Sequence, residues 1–454
     1  HKKNKLLKGR GLVTQTQTAA TTTPQPREGL ITTFLRATEI DARMLGMFGA
    51  LILIWVGFHI YGIVFNGFGA FLTYRNLWNL SVQAASVSVM ATGMVLVIVT
   101  RNIDLSVGSV LGVTAMITGA AQVWIFPKVL GLGLGHPLIW ILAVVVALVV
   151  ATAIGAFQGL LVAYLQIPSF IVTLGGMLVW RGSAWWITRG ETISPVDPNF
   201  ALIGGGPYGA IGATASWIVA VVVCVLIILS LVSSRKQRKR FGFPLRPMWA
   251  EVLIGVVGSA LVLGAAFVAN NYPWPNGIVK QYAATHNITI PEGGLFIGHG
   301  FAIPVLIAGA VLIVMTFIAN RTRFGRYVFA IGGNPEAAEL AGINTKRMTV
   351  MVFALMGTLV GISAIIASAR LNSATADLGK IDELYVIAAA VIGGTSLSGG
   401  SGTIWGAMLG ALVMQSLQSG MVLIGFESAM QQMVVGGVLV VAVWLDTVYR
   451  RRIK

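Results

Sequence analysis

Residues 138–164 read LIWILAVVVALVVATAIGAFQGLLVAY, 27 positions without one charged side chain. No surface helix of a water-soluble protein looks like this, and at about 1.5 Å per residue the run is long enough to cross the roughly 30 Å hydrocarbon core of a bilayer. Runs of similar character lie near 44–65, 80–100, 104–126, 169–188, 214–232, 249–269, 301–319, 349–370, 384–397, 402–424 and 429–448. The pattern predicts an all-α, polytopic integral membrane protein with about 12 transmembrane helices. Composition agrees: 56% of residues are hydrophobic and only 10% charged, against roughly 25% charged in an average soluble domain.

The net charge of +16 sits in tails and loops, with no basic stripe interleaved with aromatics, so it points to a membrane and not to nucleic acid. With both termini in the cytosol, 24 of the 31 Lys and Arg residues face inward, which favours this orientation over its inverse. Residues 1–30 are Thr-rich and Pro-containing and read as a flexible cytosolic tail. Ile31–Arg43 reads as an interfacial helix, and residues 31–454 as a single transmembrane domain. More than forty residues precede the first apolar run, which is not the layout of a cleaved signal peptide. Cys224, the single cysteine, excludes an intrachain disulfide and a cysteine-based metal site. The sequence has no phosphate-binding Gly-x-x-x-x-Gly-Lys-Ser/Thr loop and no His-Glu-x-x-His, its five histidines are scattered, and no metal site is expected.

The tenth run is short. From Leu384 to Ser398 there are 15 residues, roughly 22 Å of helix, and they lead into GGTSLSGGSG at 393–402. A Gly/Ser-rich interruption at membrane depth is tolerated only where protein buries it or where it lines a wet cavity. Gly393, Gly394, Thr395, Ser396, Ser398 and Gly400 are therefore expected at a translocation path or in its support. The same Leu-Ser-x-Gly-Ser pattern at Leu105–Ser109 and Leu397–Ser401 hints at an internal repeat.

Ionisable groups within apolar runs are few. Asp104 is either a polar element of the path or brace at a dimer axis, or a first-turn acid of the third span. Arg181 is expected to snorkel outward along a belt of Trp180, Trp185 and Trp186. Asp382 and Glu383 are expected at the outer start of the tenth span. Gln83, Asn102 and Ser106 join Asp104 as path or support residues, because amide and hydroxyl groups suit an uncharged polyol. The same small polar groups also hold helices together.

Between two spans lies GNPEAAELAGI, residues 333–343, flanked by Arg321, Arg323, Arg326, Lys346 and Arg347. Asn334 suits an N-cap, Pro335 the first helical position, Glu336 the positive helix end, and Gly342 the position past the end. Ala337, Ala338 and Glu339 complete a helix of one to two turns at the inner surface. It is either an ordinary capped loop or a docking element.

Four segments together carry a resemblance: Gly93–Ser109, Ile167–Gly176 with Trp180-Arg-Gly182, Gly332–Ile343, and Ala388–Gly400. From about residue 30 onward the chain resembles the sugar permeases of bacterial ABC importers, which move ribose, galactose, arabinose and xylose. The stretch 233–300, with a basic cytosolic loop, an extra span and a periplasmic loop, resembles the longer xylose-type members. Arg101-Asn102 stands where many relatives carry two glycines. The resemblance implies that Asn334, Pro335, Glu336, Ala337, Ala338, Glu339 and Gly342 couple to a cytosolic ABC ATPase subunit, which binds ATP and Mg. It also implies a homodimer in the bacterial inner membrane and a periplasmic sugar-binding protein. On this reading the chain is no enzyme, binds no cofactor, and moves a monosaccharide, D-xylose or another pentose, by alternating access. An ion-coupled secondary transporter, an ABC permease for nucleosides or branched-chain amino acids, and a membrane scaffold remain as alternatives.

Overall fold

A computed structural model describes residues 30–39 and 41–451, so the expected tail, apart from Leu30, lies outside the described residues. Helix α1 (Leu30–Thr38) stops where Glu39 takes φ +55°, and the Asp41 side chain then caps α2 (Ala42–Asn66). Next come α3 (Tyr74–Val99), α4 (Val107–Ala120, prolonged by a π-helical stretch Ala121–Leu130), α5 (Pro137–Ala163) and α6 (Ser169–Thr188). A short α7 (Pro198–Ala201) leads to α8 (Gly212–Arg240), α9 (Met248–Asn270) and α10 (Asn276–Thr285). The chain continues through α11 (Ile303–Arg321), α12 (Arg323–Gly333), α13 (Pro335–Leu340) and α14 (Thr345–Leu371). It closes with α15 (Asp382–Ile392), α16 (Ile404–Leu423) and α17 (Ser428–Arg451).

Every apolar run read from the sequence falls on a helix. Among the described residues ten helices are long and apolar enough to cross a membrane. The other two runs are α15, with 11 residues, and α17, whose apolar part is Ser428–Trp444. The polytopic all-α fold is as expected.

Helix α3 is apolar on all sides because it is surrounded: 89% of its hydrophobic window is buried. Helices α11, α14, α15 and α16 wrap it. The closest helix pair is α5 with α14, where backbones touch through small residues. A Cβ on Gly357 would collide with the Ala151 carbonyl, one on Gly155 with the Phe353 carbonyl, and Thr152 Oγ1 bonds Thr358 Oγ1 at 2.8 Å across the seam.

The short α15 has a clear geometric cause. After α14, residues 372–381 do not turn away at the outer surface but descend along α4. Ala374 packs on Gly119, the Leu378 carbonyl lies by Gly112, and the Gly379 carbonyl lies against Gly108. Those three glycines lie on α4 over 11 residues, roughly 16 Å. Helix α15, also 11 residues, supplies another roughly 16 Å, so irregular backbone and half-helix together match the roughly 30 Å core. This corrects three expectations. Asp382 and Glu383 begin a half-helix deep in the protein instead of marking the outer surface. Arg181 turns inward, donating from Nη1 to the carbonyls of Ala376 (2.9 Å) and Leu378 (3.0 Å), because the irregular segment leaves those acceptors without helical partners. Trp180 turns inward with it, its Nε1 beside Gly176, whereas Trp185 and Trp186 remain outward and exposed.

Helices α8 and α9 pack mainly on each other. The stretch that contains them leaves and rejoins the rest at one neck, where α8 begins. Ile211 N–H donates to the Phe301 carbonyl at 3.0 Å, Gly212 N–H to the His299 carbonyl at 3.1 Å, and Phe301 N–H to Ser216 Oγ at 2.8 Å. At the far end of α8 Glu39 is held by Arg238 (2.6 Å) and Arg246 (2.8 Å), and these bonds pull its carboxyl from the ordinary 4.5 down to about 2. Phe34 on α1 packs against Trp249 on α9, ring centroids 6.2 Å apart, which seats α1 on this hairpin.

Candidate functional site

Helix α13 forms as its caps dictate. Asn334 Oδ1 accepts from Ala337 N–H at 3.0 Å, Pro335 opens the first turn, and Gly342 takes φ +82° while its N–H reaches the Glu339 carbonyl at 2.9 Å. Ala338 is buried beneath the helix, while Glu336, Ala337 and Glu339 face outward. Leu340, which sequence reasoning passed over, is 90% exposed. It is the most exposed large apolar side chain among the described residues, and it stands in a polar loop and not on a spanning helix. Beside it lies a cavity of about 290 Å³ lined by Phe324, Tyr327, Ile343, Arg347 and Met351.

The base of α13 is fixed to the core by Arg101. Its Nε donates to the Gly332 carbonyl at 2.9 Å and its Nη2 to the Gly333 carbonyl at 2.7 Å. Arg101 itself sits at φ +63°, the left-handed position that closes α3. A glycine would adopt that conformation freely. Here the guanidinium bonds offset the strain of an L side chain. Asn102 folds back, its Nδ2 donating to the Thr100 carbonyl (3.2 Å) and Thr100 Oγ1 (3.1 Å).

The Gly/Ser segment closes the junction. Gly400 N–H donates to the Val99 carbonyl at 3.0 Å, and a Cβ on Gly332 would collide with both Val99 O and Gly400 N. Gly394, Gly399 and Gly400 all take positive φ, at +89°, +87° and +76°. Thr395 and Ser396 are buried, Ser396 N–H bonds the Ser401 carbonyl at 2.8 Å, and Ser396 Oγ meets Ser398 Oγ at 2.7 Å. Gly393 packs on the backbone of Gly406, and the Gly394 carbonyl accepts from Arg43 at 3.2 Å. Three segments far apart in sequence, 99–102, 332–342 and 393–400, thus meet at one end of the helices.

A second polar cluster lies deeper. Asp104 is buried, and its Oδ1 accepts from Ser106 N–H at 2.8 Å and from Ser106 Oγ at 2.6 Å, an Asx-turn that sets the start of α4. Ser106 Oγ also stands 3.0 Å from Gln158 Oε1, and its single proton serves one acceptor at a time. Gln158 Nε2, Trp180 Nε1 and Glu383 Oε2 are buried polar atoms without a hydrogen-bond partner among the described residues. Gly176 lies between the first two, and Glu383 faces Gly108. Gln83 belongs to neither cluster. On the outer half of α3, its Oε1 lies 3.4 Å from Gln415 Nε2, which also bonds Gln418 Oε1 at 2.8 Å. Among the described residues no three His, Cys, Asp or Glu side chains gather to hold a metal ion.

An exposed capped helix tied to a set of closely packed spans, with a broken span and unpaired polar atoms within, is an arrangement suited to relaying motion from one surface to the interior. Comparison with known proteins bears on what moves. A family model described as "Branched-chain amino acid transport system / permease component" matches residues 76–443. The xylose transport system permease protein XylH of Escherichia coli (strain K12) is 37% identical over 384 residues, covering 85% of this chain and 88% of that protein. XylH of Haemophilus influenzae is 34% identical over 384 residues, 85% of this chain and 92% of the relative. The ribose import permease protein RbsC of Escherichia coli (strain K12) is 31% identical over 376 residues, 83% of this chain and 87% of the relative. No solved structure matches the chain. The family match runs from the first turn of α3 into α17, through both polar clusters, and the chain belongs to this family of transport-system permease components.

Proposed function

We propose that the chain is the membrane subunit of an ATP-driven importer for a monosaccharide, D-xylose or another pentose, working in the inner membrane of a bacterium with both termini in the cytosol. Two copies form the transport unit around a central path. A cytosolic ATPase subunit, which binds ATP and Mg, receives α13 with Leu340 as its apolar anchor, and a periplasmic sugar-binding protein delivers cargo to the outer side. The observation that carries this reading is the bonding of Arg101 to Gly332 and Gly333, which ties the exposed helix to the end of α3. Motion imposed on α13 then reaches α3 and the Gly/Ser segment without an intervening flexible joint. Asn102, Asp104, Ser106, Gly393, Gly394, Thr395, Ser396, Ser398 and Gly400 line or support the moving region, and Gln83 lines the outer half.

Two features favour a neutral sugar. The interior is furnished with amide, hydroxyl and indole groups, such as Gln158, Ser106 and Trp180, which pair with sugar hydroxyls. The relatives named above carry xylose and ribose in their names, although the family description carries branched-chain amino acids. The test is reconstitution in liposomes with the ATPase and binding protein from the same operon. Xylose uptake is expected with ATP and is expected to vanish when residues 334–342 are deleted. Uptake that persists after the deletion, or that a pH or sodium gradient drives without ATP, would overturn the reading.

A further inference from the structure

Between the inner halves of α8 and α9 lies a groove of about 820 Å³ lined by residues of these two helices alone. Its walls are apolar, with Ile228, Val232, Val252 and Val256 each about half exposed. Its inner mouth is basic: Arg235, Lys236 and Lys239 stand there with Glu251 as the acid among the lining residues. Glu251 is occupied by Arg235 at 2.7 Å, and Glu39 nearby is held by Arg238 and Arg246. Among the described residues no carboxylate pairs with Lys236 or Lys239, so two cations remain uncompensated at the top of an apolar slot. From Lys239 to Ile228 is 11 residues along α8, roughly 16 Å, or one leaflet of the roughly 30 Å core. Amphipathic length, apolar walls and a cationic mouth at headgroup level match one kind of molecule.

We propose that this groove binds one anionic glycerophospholipid of the inner leaflet, with its acyl chains along α8 and α9 and its phosphate between Lys236 and Lys239. A zwitterionic lipid would satisfy the walls and leave the lysines unbalanced. A helix from a second copy would need an acidic end to do the same. A basic pocket between spanning helices on the cytosolic side is a recognised setting for anionic headgroups, with attraction of about fivefold in affinity per lysine near the surface.

The experiment uses the full chain in nanodiscs holding equal amounts of phosphatidylglycerol and phosphatidylcholine, with retained lipid read by native mass spectrometry. The wild type is expected to retain phosphatidylglycerol preferentially. The double variant Lys236→Gln/Lys239→Gln should lose that preference by roughly 25-fold, about fivefold for each lysine. Lys280→Gln, outside the groove, should leave it unchanged. Val256→Trp, which fills the slot and leaves the lysines intact, should reduce retention of both lipids. Equal retention of the two lipids by the wild type would overturn the proposal. So would undiminished phosphatidylglycerol in the double variant, or a groove whose filling abolishes a dimer without affecting lipid.

Discussion

Arg101 and Gly332 are separated by 231 residues and joined by a 2.9 Å hydrogen bond, so the end of α3 and the base of α13 behave as one piece. Replacing Arg101 with Ala removes both guanidinium bonds and keeps the left-handed strain, a loss of about 2–3 kcal/mol. Arg101→Gly also loses the bonds but releases the strain, and should recover roughly 1 kcal/mol of it. Thermal unfolding in detergent of the two variants side by side checks the order: wild type, then Gly, then Ala.

Leu340→Asp should leave the fold unchanged, since the side chain is 90% exposed and touches little. If Leu340 anchors the ATPase, losing an apolar contact worth roughly 1.5–3 kcal/mol weakens association by at least tenfold. Co-purification of the ATPase with the variant, at matched membrane expression, is the measurement.

Arg181→Gln should loosen residues 372–381, because the carbonyls of Ala376 and Leu378 lose their donor inside the protein. Leaving buried acceptors unpaired costs about 1–3 kcal/mol each. Hydrogen exchange should rise in 372–381 and stay unchanged in the seam between α5 and α14.

Gly393 and Gly131 separate crowding from backbone strain. A Cβ on Gly393 meets the backbone of Gly406, so Ala costs roughly 1–3 kcal/mol and Leu more. Gly131 has open space but φ +66°, so Ala and Leu should cost about the same there, roughly 1–2 kcal/mol. Gly394 combines φ +89° with Arg43 Cδ 3.4 Å from the Cβ position, and should resemble Gly131 for Ala. Unfolding midpoints of the Ala and Leu variants at each position decide this.

Glu39 gives a pH-dependent contact. Its carboxyl is lowered from 4.5 to about 2 by Arg238 and Arg246, so its contribution is full above pH 4.5 and is lost as the pH falls through about 2. Because the side chain is 41% exposed, solvent screening holds the contribution to about 1 kcal/mol or less. The stability difference between wild type and Glu39→Gln should therefore be present at neutral pH and close towards pH 2.

What could be read from the sequence followed the range of the forces involved. The spans were legible because a run such as 138–164 answers only to the bilayer, and α13 because Asn334, Pro335 and Gly342 lie within nine residues of sequence. The depth of Asp382 and Glu383 was not legible. It depends on glycines at 108, 112 and 119 that admit an irregular backbone from more than 250 residues away. The inward turn of Arg181 has the same cause, since its acceptors exist only because that segment is not helical. The role of Arg101 was hidden for a related reason: the residue that looked like a departure in a local motif is completed by carbonyls from a distant one.

The neck that joins Ile211 to Phe301 has a consequence for the lineage of such chains. Everything between the two leaves one face, crosses as α8, returns as α9, and ends where it began. Two crossings can be gained or lost as a unit without inverting the spans that follow, whereas a single crossing would place α13 on the wrong side of the membrane. A gene coding for a shorter permease could therefore acquire this hairpin in one insertion, because a 3.0 Å hydrogen bond from Ile211 to Phe301 already links the edges of the cut. Once present, its inner groove and basic mouth would be free to diverge under selection separate from that acting on the core.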